Sequence, residues 1–523
     1  MRVPARSGSF RSEGHKRRMN SNPDAIVIGS GPNGLAAAVT LARAGLSVSV
    51  YERNATPGGG ARTEPITLEG FVHDICSAIH PLAFASPFFR KFKLADRIRF
   101  VVPPISYAQP LDGGRAAIAY KDLDRTAESL GADGPTWRRL LQPLVDHVDA
   151  VAQFTGSEIL QFPQHPLIAA RFGARMLTQG GPWWNGLFRE ERAPALLTGV
   201  FAHSNLPLPS LAGAAAGLTL ATYAHAGGWP VPIGGSQSIT NELIADVLDH
   251  GGEVVTGAHI TSLGELPDAR AIVFDTSADA AARLGADRLS PRYLRRIRRF
   301  RLGNGVAKVD FALSGPVPWT NSELSGTATV HLGGRRAAVA RSERLVTAGR
   351  YSDDPYVLVA QPSLFDASRA PTGKHVLWAY THVPPGSTID QSEAIIRQIE
   401  RFAPGFRDLI LATASRSASD MERYDPNYIG GDIASGAPTL RQIIARPVAS
   451  TEPWRMPGRG LYLASSAAVP GPGVHGLCGY YAARSVLRHE FGVARMPSLD
   501  PKNRRAAPSV TTDGFGPDTP LQQ

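Results

Sequence analysis

Three glycines near the start of the chain have the spacing that phosphate binding requires. Gly29, Gly31 and Gly34 form the pattern G-x-G-x-x-G directly after the apolar run 25–28. The pattern therefore lies where a buried strand turns into a helix. There the first glycine permits the tight turn, the second lets the backbone approach a pyrophosphate, and the third allows close helix–strand packing. Because a helix N-terminus favours anions, we predict a dinucleotide site formed by Gly29, Ser30, Gly31, Pro32, Asn33 and Gly34.

A carboxylate follows the second predicted strand of the same unit. An alanine-rich helix over 35–44 ends at Gly45, the run 46–51 alternates as a strand, and Glu52 and Arg53 come next. A carboxylate at this place accepts hydrogen bonds from ribose hydroxyls and repels a 2′-phosphate, which favours FAD or NAD over NADP. The strand–turn–helix–strand context favours a nucleotide-binding fingerprint over a purely structural turn.

A second glycine-rich loop distinguishes FAD from NAD. The sequence PGGGART occupies residues 57–63, where large flavoproteins bring a second loop onto the pyrophosphate. Glycines let a backbone approach closely, and the arginine can form a forked pair with phosphate oxygens. An ordinary exposed arginine is the alternative interpretation. The loop favours FAD, with contacts expected from Gly59, Gly60, Ala61 and Arg62.

A similar arrangement recurs near the other end of the chain. A strand over 460–464 leads into the glycine-rich loop 465–479, and a helix follows from Tyr480. A strand, a glycine-rich loop and a helix N-terminus again suit an anion or a carbonyl group. An elongated FAD needs two such segments, one for the pyrophosphate and one for the isoalloxazine ring.

Composition and charge exclude several other classes. Cys76 and Cys478 are the only cysteines, so the chain lacks the redox dithiol of disulfide reductases, and we expect no metal site. The net charge is +10. Residues 1–19 hold six basic side chains and one acid, and the other basic residues are scattered along the chain. We therefore expect no nucleic-acid partner. No apolar run reaches the ~18 to 20 residues of a membrane span.

Four motifs carry a resemblance to a known family. With them the chain resembles, over roughly residues 22–492, the phytoene-dehydrogenase-related FAD-dependent oxidoreductases, the branch that includes the pyridine nucleotide-disulfide oxidoreductase domain-containing protein 2 family. The motifs are GGWPVPIGGSQ (227–237), VDFALSGPVPWT (309–320), QPSLFDASRAPTGKHVLWAYTHVP (361–384) and PGPGVHGLCGY (470–480).

The resemblance implies an α/β fold of the amine oxidase/phytoene desaturase type. A Rossmann-like FAD-binding domain is interleaved with an α+β substrate domain. The expected segments are a disordered basic head (1–21), a first FAD-binding segment (22–83), a mostly helical substrate segment (84–226), a second FAD-binding segment (227–295), a substrate segment of strands and helices (296–445), a third FAD-binding segment (446–492) and a disordered tail (493–523).

The resemblance also implies roles for particular residues. Backbone near Ile260 contacts adenine, the segment 70–81 passes close to the flavin ring, and the final helix points at the flavin pyrimidine ring. The implied ring contacts are Gly473, Val474, His475 and Gly476. Carotenoid desaturases commonly have proline where His475 stands, so carotenoid substrates do not follow. Apart from the resemblance, the turn-rich loop 426–432 is expected to border the substrate site.

Three side chains are candidates for proton handling or for placing a water near the flavin: His80, Lys308 and His475. A structural, hydrogen-bonded imidazole is an equal interpretation for each histidine, and His203 and His225 are weaker candidates. Lys308 interrupts the apolar alternation of a strand predicted over 301–313, where an unpaired ammonium would be costly to bury. It either holds a water against the flavin, as in flavin amine oxidases, or reaches solvent at a strand edge.

The sequence thus predicts an FAD-dependent oxidoreductase of the desaturase or dehydrogenase type. It would transfer a hydride between the flavin and an apolar, isoprenoid or lipid-like substrate. A flavin amine oxidase that uses oxygen and a non-catalytic flavoprotein with a regulatory or binding role remain alternatives. We expect a bacterial cytoplasmic protein with peripheral membrane contact, or a mitochondrial matrix protein if the basic head is a transit peptide.

Overall fold

The computed structural model describes residues 22–157 and 162–501, so the predicted head and the tail beyond residue 501 lie outside it. The strands of the described residues are β1 (Ala25–Ile28), β2 (Val48–Tyr51), β3 (Thr63–Glu64), β4 (His73–Asp74), β5 (Phe100–Val101), β6 (Ile105–Pro110), β7 (Ala116–Tyr120), β8 (Val231–Pro232), β9 (Glu253–Val255), β10 (Ala271–Phe274), β11 (Gly305–Leu313), β12 (Thr329–Leu332), β13 (Val357–Ala360), β14 (His375–Val383), β15 (Ile410–Arg416) and β16 (Leu461–Leu463).

Helices occupy much of the chain between these strands. They are α1 (Pro32–Arg43), α2 (Pro81–Ala85), α3 (Pro87–Phe92), α4 (Leu94–Arg97), α5 (Leu123–Ser129), α6 (Gly134–Val145), α7 (Val148–Thr155), α8 (Pro166–Gly180), α9 (Arg192–Phe201), α10 (Leu211–Ala226), α11 (Gln237–Asp249), α12 (Ala278–Leu284), α13 (Pro291–Ile297), α14 (Arg336–Thr347), α15 (Ser392–Glu400), α16 (Ala418–Tyr424), α17 (Leu440–Ile444) and α18 (Leu477–Glu490). Within the described residues, none of them is both long and apolar enough to cross a membrane.

The first sheet is parallel and has the strand order β16-β10-β1-β2-β9. Its central strands β1 and β10 read AIVI and AIVF, and every position in them is buried. Such continuous apolar runs are typical of parallel strands that are covered on both faces, and helices α1, α11 and α18 pack against this sheet. The predicted α/β class with a Rossmann-like parallel sheet is confirmed.

Helices α1 and α18 contact each other at their N-terminal ends. A Cβ atom on Gly479 in α18 would lie 1.7 Å from the carbonyl oxygen of Asn33 in α1. Only glycine permits this backbone contact. Because both helices begin there, the two glycine-rich loops that precede them are brought to one place from opposite ends of the chain.

The second sheet has seven strands in the order β15-β11-β14-β13-β12-β6-β7. Its pairings are antiparallel except that of β12 with β6. Alternate side chains enter different cores: Leu358 and Tyr380 pack with helices α6, α9 and α10, whereas Val357 and Val359 pack with α15. This period of two is what an antiparallel sheet covered on both faces requires.

Several element boundaries differ from the predicted ones. The amphipathic segment 136–154 forms two helices, α6 and α7, because His147 has a non-helical backbone. The alternating segment 253–263 yields only the short strand β9. Helix α18 begins at Leu477, directly after Gly476 with its positive φ of 68°, rather than at Tyr480. Residues 493–501, assigned to the tail, pack on the first domain, and Leu499 is 2% exposed.

Candidate functional site

A cavity of about 1180 Å³ lies between the two sheets and is lined by both glycine-rich loops. It is therefore a single space that two distant segments of the chain share. The residues of the predicted cofactor set that line it are Gly29, Ser30, Gly31, Pro32, Asn33, Glu52, Arg53, Gly59, Gly60, Ala61, Ile260, Gly473, Val474 and His475. The remaining three, Gly34, Arg62 and Gly476, lie behind this wall.

In the turn after β1, two glycines allow backbone atoms to come into close contact. Gly29 has a φ of 100°, and a Cβ on it would lie 2.5 Å from the carbonyl oxygen of Asp275. A Cβ on Gly34 would lie 2.4 Å from the carbonyl oxygen of Gly29. Gly34 thus lets the helix pack on the strand, and the residues before it face the cavity.

Asp275, at the end of β10, is a member of this site that the sequence analysis missed. Its Oδ2 atom accepts a hydrogen bond of 2.8 Å from the Gly34 N–H, and it would lie 2.6 Å from a Cβ on Gly31. Burial raises the pKa of Asp275 from 3.8 to about 7. Asp275 directly follows a parallel strand that pairs with β1. This position could have identified Asp275 as a site residue, because ligands bind at the carboxyl ends of such strands.

Glu52 is held at the cavity wall by four hydrogen bonds. Its Oε2 atom accepts from the N–H of Ser30 at 3.1 Å and from the Ser30 hydroxyl at 2.6 Å. Its Oε1 atom accepts from the backbone and side-chain nitrogens of Asn54 at 2.8 and 3.0 Å. These donors fix the orientation of the buried carboxylate.

The second loop lies directly on the first. A Cβ on Gly59 would be 3.0 Å from the Cα atom of Gly31. The Nε atom of Arg62 donates to the Gly59 carbonyl at 2.9 Å, and its guanidinium stacks 4.2 Å from the centre of the Tyr424 ring. Arg62 is 3% exposed. The Arg62 side chain supports the loop from behind. It is therefore not placed for the predicted forked contact with phosphate.

His475 is fixed inside the C-terminal loop. Its Nδ1 atom accepts the Leu477 N–H at 3.0 Å, and its Nε2 atom lies 3.1 Å from the Gly471 carbonyl. Because Nδ1 accepts, Nε2 carries the proton, and burial lowers the pKa of His475 to about 4. Both ring nitrogens are used within the loop, which corresponds to the structural interpretation of this histidine.

His80 lines the cavity and is also a buried, neutral imidazole. Its Nε2 atom lies 2.7 Å from the Ser236 hydroxyl, and Nδ1 lies 3.5 Å from the Ser77 hydroxyl. Burial lowers its pKa to about 4. His225, by contrast, bonds Trp137 and the Tyr120 carbonyl and is not among the residues that line the cavity.

Lys308 does not reach solvent at a strand edge. It lies on β11 between β14 and β15, is 2% exposed, and pairs with the Asp310 carboxylate on the same strand. Its Nζ atom is 5.5 Å from the centre of the Trp378 ring. The snorkelling interpretation is therefore wrong, and Lys308 stands one layer behind the cavity wall.

The remainder of the cavity is mostly apolar and aromatic. Helices α7, α8 and α10 and strands β12, β13 and β14 supply this region, and the predicted border loop 426–432 contributes Tyr428 and Ile429. These strand residues could not be predicted as site residues from the sequence, because their alternation resembles that of any core strand. The side chains concerned include Phe154, Phe172, Met176, Leu220, Trp229, Leu358, Trp378 and Tyr380.

Comparisons with known proteins agree with this architecture. A family model described as an NAD(P)-binding Rossmann-like domain matches residues 27–92. Pyridine nucleotide-disulfide oxidoreductase domain-containing protein 2 of Rattus norvegicus is 24% identical over 547 residues, covering 89% of this chain and 93% of that protein. Hydroxyneurosporene desaturase of Rhodobacter capsulatus is 53% identical over 47 residues, covering 9% of this chain and 10% of that protein.

A solved structure extends the likeness to the whole fold. Cyclohexylamine oxidase from Brevibacterium oxydans matches with a TM-score of 0.56 at 16% identity, covering 89% of this chain and 99% of that one. The resemblance predicted from the sequence is confirmed. The chain is similar along most of its length to pyridine nucleotide-disulfide oxidoreductase domain-containing protein 2, and it shares the fold of cyclohexylamine oxidase.

Proposed function

We propose that the cavity binds one FAD in an extended conformation. The observation that carries this proposal is that the N-termini of α1 and α18 open into the same cavity. The donor set fits the cofactor: backbone N–H groups and glycines for a pyrophosphate, the Glu52 carboxylate for a ribose, and Ile260 on the wall for adenine. Gly473 and Val474 line the other end, where the ring would lie.

On this site we propose an oxidoreductase of the desaturase or dehydrogenase type. Bound FAD supplies hydride acceptance, and the chain supplies binding and orientation. Phe172, Met176 and Leu220 form an apolar wall that suits an isoprenoid or lipid-like substrate and excludes water. Of the predicted proton-handling residues, His80 and His475 line the cavity, and both ring nitrogens of His475 are already used within its loop.

Two measurements test the proposal in sequence. Purified protein is expected to be yellow and to carry one FAD per chain, measured as flavin released by heat. The bound flavin is then expected to lose its absorbance anaerobically when lipid extracts are added, and the oxidised product identifies the substrate. Colourless protein that takes up no FAD would refute the proposal. Flavin that no extract reduces would favour a non-catalytic flavoprotein.

A flavin amine oxidase is a second candidate with its own support. Trp378 and Tyr380 line the cavity with ring centres 5.1 Å apart and an interplanar angle of 89°. Aromatic faces attract cations, so this pair suits an amine, and Lys308 lies behind it. Release of hydrogen peroxide with a panel of amines would favour this function. If no hydrogen peroxide is released and a lipid extract reduces the flavin, the desaturase type is favoured.

We further propose that the protein contacts a membrane surface from the cytoplasmic side through helix α8 and the turn that follows it. Leu167 is 75% exposed and Trp183 is 81% exposed, whereas Phe172 and Met176 of the same helix line the cavity. An apolar substrate could therefore pass from a lipid phase to the cavity along one helix. The two free cysteines fit a reducing compartment.

A further inference from the structure

One face of the seven-stranded sheet forms an end wall of the cavity. On this face Thr329 of β12 is paired with Ala360 of β13, and Ala360 is paired with Trp378 of β14. Residues directly opposite one another in an antiparallel pair lie on the same face. All three line the cavity, so Thr329 and Trp378 stand on either side of the small Ala360.

Two polar atoms of this wall are buried without a partner. Thr329 is 1% exposed and Trp378 is 6% exposed. Among the described residues, neither the Oγ1 atom of Thr329 nor the Nε1 atom of Trp378 has a hydrogen-bond partner. Leaving such groups unsatisfied is costly, and buried polar groups are normally paired. Since both residues line the cavity, a ligand is the partner that the structure suggests.

A histidine pair adds a third polar group at the same wall. His203 lines the cavity, and its Nε2 atom lies 2.7 Å from the Nε2 atom of His331, which follows Thr329 by two residues on β12. The Nδ1 atom of His331 is buried without a partner among the described residues. An unpartnered acceptor is better tolerated than an unpartnered N–H, so we assign the shared proton to His331. The His203 ring then carries its proton on Nδ1.

The wall carries no uncompensated charge. Burial lowers the pKa of His203 to about 3, so its imidazole is neutral at physiological pH. The Lys308 ammonium, which lies over the Trp378 ring, is paired with Asp310. Burying an ionised ligand here without a counter-charge would be costly, whereas a neutral oxygen atom could accept hydrogen bonds from both Thr329 and Trp378.

We propose that this wall is a recognition subsite for a neutral oxygen atom, a carbonyl or a hydroxyl group, on an otherwise apolar substrate. The proposal rests on the proposed function in taking the apolar region of the cavity as the substrate site. Trp378 Nε1 and Thr329 Oγ1 are the donors, and the His203 ring is the third polar neighbour. Leu358 and Tyr380, which face the same space, would hold the hydrocarbon portion.

The test compares two probes of the same shape, 2-octanone and 2-methyl-1-octene, in which only the oxygen is replaced by a methylene group. Their Kd values for the holoprotein are measured by depletion of the probe from the headspace vapour. The variants are Thr329→Val, which keeps the shape but removes the hydroxyl group, Trp378→Phe, which removes the N–H together with part of the ring system, and Leu358→Met, which is the matched control on the same face. Octanoate and octylamine, measured by equilibrium dialysis, test for a charged ligand.

Each donor variant is expected to raise the Kd of the ketone about 5-fold relative to that of the alkene, a typical loss for one hydrogen bond. The control is expected to change both Kd values by the same factor. In addition, Thr329→Val should raise the Tm of the ligand-free protein, because it removes an unsatisfied buried hydroxyl group.

An equal effect of each donor variant on both probes would overturn the subsite, as would tighter binding of octanoate or octylamine than of the ketone. The FAD content of every preparation is measured separately. Normal FAD content with no ketone-specific effect refutes the subsite alone. Protein without FAD refutes the proposed function, and the probe comparison can still be scored on it.

Discussion

Replacing Asp275 by asparagine is expected to remove a pH dependence of FAD binding. Asp275 lines the cavity and places its carboxyl group between Gly31 and Gly34, where a bound pyrophosphate would lie. Asparagine keeps the carbonyl oxygen that accepts the Gly34 N–H but cannot ionise. The variant therefore separates the charge of this side chain from its hydrogen bond.

The magnitude follows from the pKa of the buried carboxyl group. Burial raises this pKa to about 7, against the hydrogen bonds from Gly34 and Gly31 that lower it. Above that pH the carboxylate must take up a proton before a doubly negative pyrophosphate can bind beside it. The Kd for FAD should therefore rise about tenfold, or ~1.4 kcal/mol, for each pH unit above neutrality.

Fluorescence titration of the apoprotein with FAD between about pH 6 and 9 measures this slope, since the coenzyme's own groups do not titrate in that range. Wild-type protein should show a flat Kd below neutral pH and a steep rise above it, and Asp275→Asn should be flat throughout. If both proteins show the same slope, the carboxyl group is not the titrating group and the reasoning fails.

The stability of the apoprotein provides an independent measurement of the same group. Its pKa in the folded state, about 7, lies above the ordinary value of 3.8. The neutral form is therefore the one that folding favours, and its contribution is complete below about pH 4 and is lost as the pH rises through 7. The full effect is on the order of 4 kcal/mol. Denaturant titrations should show a smaller loss of stability from pH 4 to 8 in Asp275→Asn.

Three further substitutions test the architecture. Gly479→Val should abolish FAD binding and lower the Tm, because its side chain would collide with the α1 backbone, whereas Gly326→Ala, with nothing within 4 Å, should leave both unchanged within error. Lys308→Met should destabilise the fold by about 3–5 kcal/mol in denaturant titrations by leaving Asp310 unpaired, and adding Asp310→Leu should recover much of that loss. Trp183→Ser should reduce co-sedimentation with anionic lipid vesicles without changing the Tm, since its side chain is 81% exposed; unchanged co-sedimentation would contradict the proposed membrane contact.

The sequence predicted the nucleotide-binding sheet closely because its signals are local. The strand over residues 25–28 has the predicted bounds, and the strand over 271–274 is built in the same way. Both are short apolar runs that end at a glycine or an aspartate, so composition alone marks their ends. Gly45, with its φ of 90°, likewise ends α1 where expected.

The substrate half could not be predicted in the same way, because its contacts depend on register between distant strands. Thr329 and Trp378 are brought to one wall only through Ala360, to which each is paired. Lys308 shows the same limit: the alternation marked it as unusual, but the pairing of β11 with strands on both sides decided that it is buried. Local spacing carries no information about such neighbours.

The contact between α1 and α18 has a consequence for how the cofactor site forms. Both helix N-termini open into one cavity only because the Gly479 backbone packs on Asn33. The proposed FAD site is therefore complete only when the two ends of the chain have docked. A ligand that binds only the docked form stabilises it in proportion to the logarithm of its concentration over its Kd. FAD should thus protect backbone amides in α18 from hydrogen exchange as strongly as those in α1, although the two helices lie far apart in the sequence.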